Sequence, residues 1–432
     1  MIISLKNIKS YFRIIFISFI LFIYIYAIKL SMLPLGLDKV VLIFLSLLIF
    51  PFHIKTFLTF LKNNTVIIKY FGLLILLFAY NGLIFSFNIS NDFTLFYSLI
   101  LRLTVFYFPI VFILFYLNVH RHNNFYFLLK LLLFVITIQS VLILISFINF
   151  DFKIFVDNLL PYTGNIDVTR LDRMRGFSNT SGASLSIVQG IGAYIALLLL
   201  DKTNITHNKI IYLIFILINI LALLFVARTG LVLFLVTSSI YFLITISYKT
   251  LKSLFYILLG FIIIFYIVLN FQTMLDPKYI ELFYIKILPW ALELFSNLSN
   301  GSATTASNQE LWNMIHFPNN FKTLCFGDGI FDRPYTLSDS GYVRYIYAMG
   351  IVGTGLLLFT IIYPILTIIK YIKKNKKEFF WVTILISFML LIEIKEPFLL
   401  KPQVYPLLLL LLFSYVIHLN TGKYNAKNNI SH

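Results

Sequence analysis

The sequence predicts an all-α, polytopic membrane protein with about twelve transmembrane helices and one large external loop. Three observations predict it. Hydrophobic residues make up 60% of the 432 residues, and mean hydropathy is +0.92. Only 12% of residues are charged, where a soluble domain carries roughly a quarter. Apolar runs near the ~20 residues that cross a bilayer recur from end to end. The net charge of +17 reads as orientation signals in such a chain, and nucleic acid is not an expected partner. Cys325 is the only cysteine, which excludes an internal disulfide and argues against a cysteine metal site.

The first apolar run, Ile14 to Ala27, follows Lys6, Lys9 and Arg13 and resembles a signal peptide. No small-residue cleavage site follows it, so it reads as an uncleaved first span. The spans lie near 11–31, 40–60, 67–87, 95–117, 125–149, 183–200, 209–227, 229–247, 252–271, 342–370, 379–394 and 403–419. Residues 1–271 thus hold nine helices, with a basic external segment at 151–182. Residues 272–341 form the large loop, 342–419 hold three helices, and 420–432 form a cytoplasmic tail.

A cytoplasmic N-terminus places most lysine-rich loops inside, as the positive-inside rule requires. Those loops carry Lys55, Lys62, Arg121, Lys202, Lys209, Lys249, Lys252 and the cluster from Lys370 to Lys377. The external loop from Asn88 to Asp92 has no Lys or Arg, although Lys29 and Lys39 flank the first external loop. On this topology every arginine after Arg121 falls outside. The large loop has internal texture. Residues Tyr279 to Phe295 suit a helix lying on the membrane surface, Ser296 to Ser307 reads as loop, and Ser307 with Glu310 fits a capping box for a short helix ending before Pro318.

Four stretches carry candidate chemistry. The first is TRLDRMRGFSNTSGAS, with Arg170, Arg173 and Arg175 before the sixth span. Arginine presents a fixed, permanently charged fork that matches pyrophosphate oxygens. Gly176, Asn179, Ser181 and Gly182 could expose backbone amides at a helix start. The competing reading gives these arginines to lipid headgroups, Asp167 or Asp172. The second stretch, FVARTGLVLF, puts Arg228 between two apolar spans with almost no polar loop around it; an ionisable group there is a functional candidate, or an interfacial anchor.

The third stretch is FGDGIFDRPYTLSDSGYVRYIYAMGIVG, residues 326–353. Gly327 and Gly329 allow tight turns. Asp339, Tyr342 and Arg344 could hold sugar hydroxyls or offset phosphate charge. The spacing of Asp339 and Arg344 is not the three or four residues that pairs helix side chains, which favours ligand contact. The fourth stretch, IEIKEPFLLKP, crowds Glu393, Lys395, Glu396 and Lys401 into one turn. Glu396 is a candidate general base, or one member of an internally paired cluster. Arg102 lies inside the fourth span and either faces a cavity or snorkels outward. No nucleotide, zinc or catalytic-serine motif is present.

Together RMRGFSNTSGAS, ARTGLV, the 326–353 stretch and the late KEPF resemble the Wzy-type O-antigen polymerases, relatives of the O-antigen ligases. The resemblance extends over nearly the whole chain and rests on the order and placement of short motifs. It implies a GT-C-like glycosyltransferase of the bacterial inner membrane, with both termini cytoplasmic and the large loop periplasmic. Its substrate would be undecaprenyl-pyrophosphate-linked oligosaccharide, with no cofactor, no metal and a chain-length regulator as a further partner beside the lipid bilayer. On this reading Arg175, Arg228, Asp339 and Glu396 are the catalytic candidates. The two arginines stabilise the leaving pyrophosphate, and either carboxylate takes the acceptor proton. Arg170, Arg173, Asn179, Tyr342, Arg344 and Lys395 are the substrate-binding candidates. An O-antigen ligase is the nearest rival, although His316 is the only histidine in the loop. A lipid-linked oligosaccharide flippase is the rival from another class, and it would place its cations within the bundle.

Overall fold

The computed structural model describes residues 5–33, 35–119, 125–160, 174–180, 182–245, 306–332, 336–369 and 376–428, with Ile285, Pro289, Glu293 and Asn297 singly. The expected ninth span, most of the surface helix at Tyr279 to Phe295, Arg121, Arg170, Arg173, Ser181 and Arg333 lie outside these residues. The described residues hold helices and no strand. Seven of those helices are long and apolar enough to cross a membrane, as a polytopic membrane protein requires.

The chain divides into two compact units, Met1–Val41 with Tyr126–Ser296 and Leu42–Phe125 with Asn297–His432. The first contains α1 (Leu5–Ile25), most of α5 (Phe125–Ile148), α6 (Phe150–Leu159), α7 (Ala183–Lys202), α8 (Thr206–Val226) and α9 (Arg228–Thr245). The second contains most of α2 (Leu37–Asn63), then α3 (Thr65–Asn88), α4 (Thr94–Val119), α10 (Ala306–Asn313), α11 (Phe321–Phe326), α12 (Gly341–Ile368), α13 (Lys376–Ile392) and α14 (Val404–Asn428). The span helices match the expected spans to within a few residues, except that α1 begins and ends about six residues early and α14 runs on into the expected tail; α6 lies in the segment expected to be an external loop. α10 stops before Pro318 as expected; it begins at Ala306, so Ser307 sits in its first turn rather than at the cap.

In the first unit α7 is the central helix, buried along almost all of its length. A wholly apolar helix would bury as well, but α7 carries Ser186 and Gln189, both fully buried, and these need partners inside the bundle. Gln189 Nε2 donates to the Tyr26 hydroxyl at 3.2 Å, and Ser140 donates to Gln189 Oε1 at 2.6 Å. Asn219 of α8 donates to Thr137 of α5 at 3.1 Å. These bonds tie α1, α5, α7 and α8 together where packing alone would leave rotation of each helix weakly specified. α7 and α9 cross with backbones nearly touching: a Cβ at Gly190 would strike Gly230, and one at Gly230 would strike the Ser186 carbonyl.

In the second unit the decisive feature is a break in α12. Gly350 takes φ +64° and ψ −176° inside an otherwise helical run. The carbonyls that the break frees are used: Tyr347 and Ala348 accept from the amides of Asp328 and Gly329 at 2.8 and 3.0 Å, and Met349 accepts from the Tyr80 hydroxyl at 3.1 Å. Gly327 turns with φ +84° beside Met349, and any side chain there would meet the α12 backbone. The 351–368 portion alone rises about 27 Å, close to the ~30 Å hydrocarbon thickness. The break therefore leaves a full span below it and a nine-residue segment, 341–349, free to carry polar groups.

Replacing Gly230 with alanine should lower the melting temperature of the purified protein markedly, because two helix backbones must separate. Gly350→Ala should do the same through its positive φ. Gly355→Ala, where nothing lies within 4 Å of the added carbon, should be neutral or stabilise by about 0.5–1 kcal/mol.

Candidate functional site

In the first unit the two arginine motifs meet. The Met174 amide donates to the Phe225 carbonyl at 3.0 Å, which sets the Arg175 loop against the end of α8, just before Arg228. The loop is further held by Gln139, whose Nε2 donates to the Arg175 carbonyl at 2.7 Å. The Gly230 amide donates to Ser186 Oγ at 3.1 Å, so ARTG also packs on the helix that the SNTSGAS stretch opens.

The arginine side chains are both engaged. Arg175 is 3% exposed, with Nε donating to Asp157 Oδ1 and Nη2 to the Leu160 carbonyl, each at 2.7 Å. Asp157 also pairs with Lys153 at 2.9 Å, so one buried carboxylate holds two cations. Asp167 and Asp172, the partners expected for this region, lie outside the described residues; among those described, Asp157 from the short helix α6 meets Arg175. Arg228 pairs with Glu293. As the first residue of α9, its positive charge opposes the helix dipole, and the carboxylate compensates. Asn179 is buried in the same loop.

In the second unit a loop, a helix start and a turn come together. Asp92 organises the loop. Its Oδ2 accepts from the amides of Phe331 and Asp332, both at 2.6 Å, and its Oδ1 from Thr94 at 2.9 Å. Burial pushes this carboxyl up, but the hydrogen bonds from Thr94, Asp332 and Phe331 outweigh it and hold the group below the usual carboxylate value. Asn88 and Ser90 donate to the carbonyls of Gly327 and Gly329 at 3.1 and 2.9 Å. The loop so fixed receives Arg344, whose Nε donates to the Phe331 carbonyl at 2.8 Å and whose guanidinium lies 4.3 Å over the Phe331 ring. Asp332 stands 3.9 Å from it. Helical spacing could not show these partners, since they precede the helix.

Glu393 joins the start of α12 to the turn after α13. Its carbonyl accepts from the Gly341 amide at 2.8 Å, its Oε2 from the Tyr345 hydroxyl and its Oε1 from the Leu399 amide, each at 2.6 Å. Tyr342 donates to the Leu390 carbonyl at 2.6 Å. The third and fourth sequence stretches are thus neighbours. Asp339, Tyr342, Arg344, Lys395 and Glu396 remain partly exposed around this junction, and Glu396 pairs with Lys401 at 3.6 Å. His316 packs against the Tyr347 ring, centroids 5.9 Å apart.

Compared with known proteins, the chain matches no family model, no curated protein and no solved structure. Its functional reading therefore rests on its own residues. Among the described residues no group of three or more His, Cys, Asp or Glu side chains could hold a metal ion.

Sequence reasoning did not select Asp92, Asp157, Glu293 or Glu393, and it left Arg102 outside the site. Arg102 and Glu393 carried a signal, an ionisable residue in or beside an apolar span. Asp92 and Asp157 lie in ordinary-looking polar contexts, and only the fold gives them partners.

Asp92→Asn should lower the melting temperature at neutral pH by removing the charged acceptor of three amides. A carboxyl depressed in the folded state stabilises above its unfolded value, 3.8, and loses that contribution as pH falls through its folded value. The gap between native and variant should therefore be full at neutral pH and close below about pH 4.

Proposed function

We propose that the chain is a GT-C-like glycosyltransferase of the O-antigen polymerase type. It has about twelve spans in a bacterial inner membrane, both termini cytoplasmic and its large loop periplasmic. It joins undecaprenyl-pyrophosphate-linked oligosaccharide repeat units. The observation that carries this reading is the pairing of motifs. RMRGFSNTSGAS lies against ARTG in one unit, through Met174 and Phe225, and the Tyr342–Arg344 segment lies against IEIKEP in the other, through Gly341 and Glu393. Stretches some fifty residues apart in sequence converge two by two, which supports reading them as parts of functional sites.

In the reaction, the bond from the sugar anomeric carbon to the pyrophosphate oxygen breaks as a bond to the acceptor hydroxyl forms. The leaving group takes the electron pair and concentrates negative charge. Arg175 and Arg228 stabilise that charge, with Arg344 supporting. Asp157 and Glu293 hold two of these guanidiniums in place before substrate arrives, which lowers the reorganisation that the reaction would otherwise demand. The acceptor proton passes to Asp339 or Glu396. Arg170, Arg173, Asn179, Tyr342 and Lys395 contact the glycan or its diphosphate. A chain-length regulator protein is a further partner, and the chemistry calls for no nucleotide sugar.

Deleting the gene in its own host should collapse the lipopolysaccharide ladder to core plus one repeat unit. Complementation by Arg175→Lys or Arg228→Lys, which keep charge and lose the fork, should restore roughly 1% of polymer or less, the ~10²-fold loss typical of a removed oxyanion donor. Lipid-linked polymer accumulating in the periplasmic leaflet would instead mark a ligase. Single units trapped on the cytoplasmic side would mark a flippase and remove these residues from catalysis.

A further inference from the structure

The transfer chemistry leaves Arg102 and Glu393 without a role, although both are fully buried. A charged group in the interior of a membrane bundle is expensive and is retained only where something compensates it. Arg102 opens a π-helical turn, Arg102–Phe106, inside α4, a local widening that often accompanies functional positions. Its guanidinium lies 4.0 Å over the Tyr405 ring, and Nη2 donates to the Leu399 carbonyl. Its Nε and Nη1 have no hydrogen-bond partner among the described residues. It makes no direct ion pair there either.

The compensation comes through one residue. The Leu399 carbonyl faces Arg102, while the Leu399 amide donates to Glu393 Oε1 at 2.6 Å. The two groups thus flank a single residue; burial pushes the Glu393 carboxyl up, and Arg102 pulls it back toward the charged form. Lys401 is the other cation near Glu393, but it is partly exposed and pairs with Glu396. The anion is in turn the joint described above. Through its carbonyl and Oε2 it fixes Gly341 and Tyr345, and so sets where Tyr342 and Arg344 stand against the turn carrying Lys395, Glu396 and Lys401.

We propose that Arg102 and Glu393 are a buried charge pair, coupled across the backbone of Leu399, that positions the start of α12 against the 393–401 turn for glycosyl transfer. The role in transfer rests on the glycosyltransferase reading; the coupling of the two charges does not. Both residues act on neighbouring groups of the protein, Leu399, Gly341 and Tyr345, so they are positioning residues. Neutralising one strands the other in an apolar interior, whereas neutralising both leaves a hydrogen-bonded joint, because glutamine at 393 still accepts from Leu399.

The test uses the purified full chain and its variants Arg102→Met, Glu393→Gln and the double substitution. Two readouts are taken, the melting temperature and turnover of lipid-linked repeat units per folded molecule. Each single substitution should lower the melting temperature, and the double should recover most of that loss, a coupling that independent sites do not show. Each single should reduce kcat about tenfold or more through misplacement with KM changed less than about twofold, and the double should return kcat to within a few-fold. Additive melting losses would overturn the pair. Recovered melting with kcat still lost would overturn the positioning role, since one of the two would then be acting in the chemistry itself. Coupled melting in a native protein that shows no transfer would sink the glycosyltransferase reading, and the positioning role with it. If a single variant does not fold, Tyr345→Phe keeps both charges and removes one bond to Glu393. It should cost about fivefold in kcat, and an unchanged kcat would overturn the proposal.

Discussion

A polar group inside an apolar bundle has no water to fall back on, so each one must find its partner within the protein. That constraint explains why so few of this chain's charged residues fix so much of its architecture. One carboxylate of Asp92 gathers three amides, one of Asp157 gathers two cations, and one of Glu393 gathers a hydroxyl and an amide. At each, a residue distant in sequence is held to within hydrogen-bond length, and the helices carrying them lose the freedom to slide or rotate.

The broken helix follows from the same rule. A helix interrupted at Gly350 frees carbonyls that cannot be left bare, and the Gly327–Gly329 loop and Tyr80 supply the donors. Because the loop is needed there, it is pinned in turn by Asn88, Ser90 and Asp92. Arg344 docks on the result. The position of a cation proposed to meet substrate charge is thereby decided by a helix break and a loop. In the other unit Gln139 and Asp157 serve Arg175 in the same manner, one from the backbone and one from the side chain.

Most of the helical framework was legible because hydropathy reports burial in lipid directly, and α3, α4, α5, α7, α8 and α9 begin and end close to the expected boundaries. Gly327 and Gly329 also read correctly as turn residues, since positive φ leaves few alternatives. The partners did not read out. Arg175 could have paired with any of several nearby acids, and Arg344 with Asp339. The observed choices depend on which elements pack side by side, a matter of long-range contact that no local pattern encodes.

The sequence by itself determined that this is an all-helical membrane protein, where its helices run, and which four polar stretches are out of place in an apolar chain. Those features follow from composition and periodicity, which act over one span at a time. Tertiary structure alone decided that α12 breaks at Gly350, that the four stretches meet two by two, and that the buried groups of Arg102 and Glu393 flank the same residue. Each of these depends on groups tens to hundreds of residues apart, brought together because an apolar interior penalises any polar atom left without a partner.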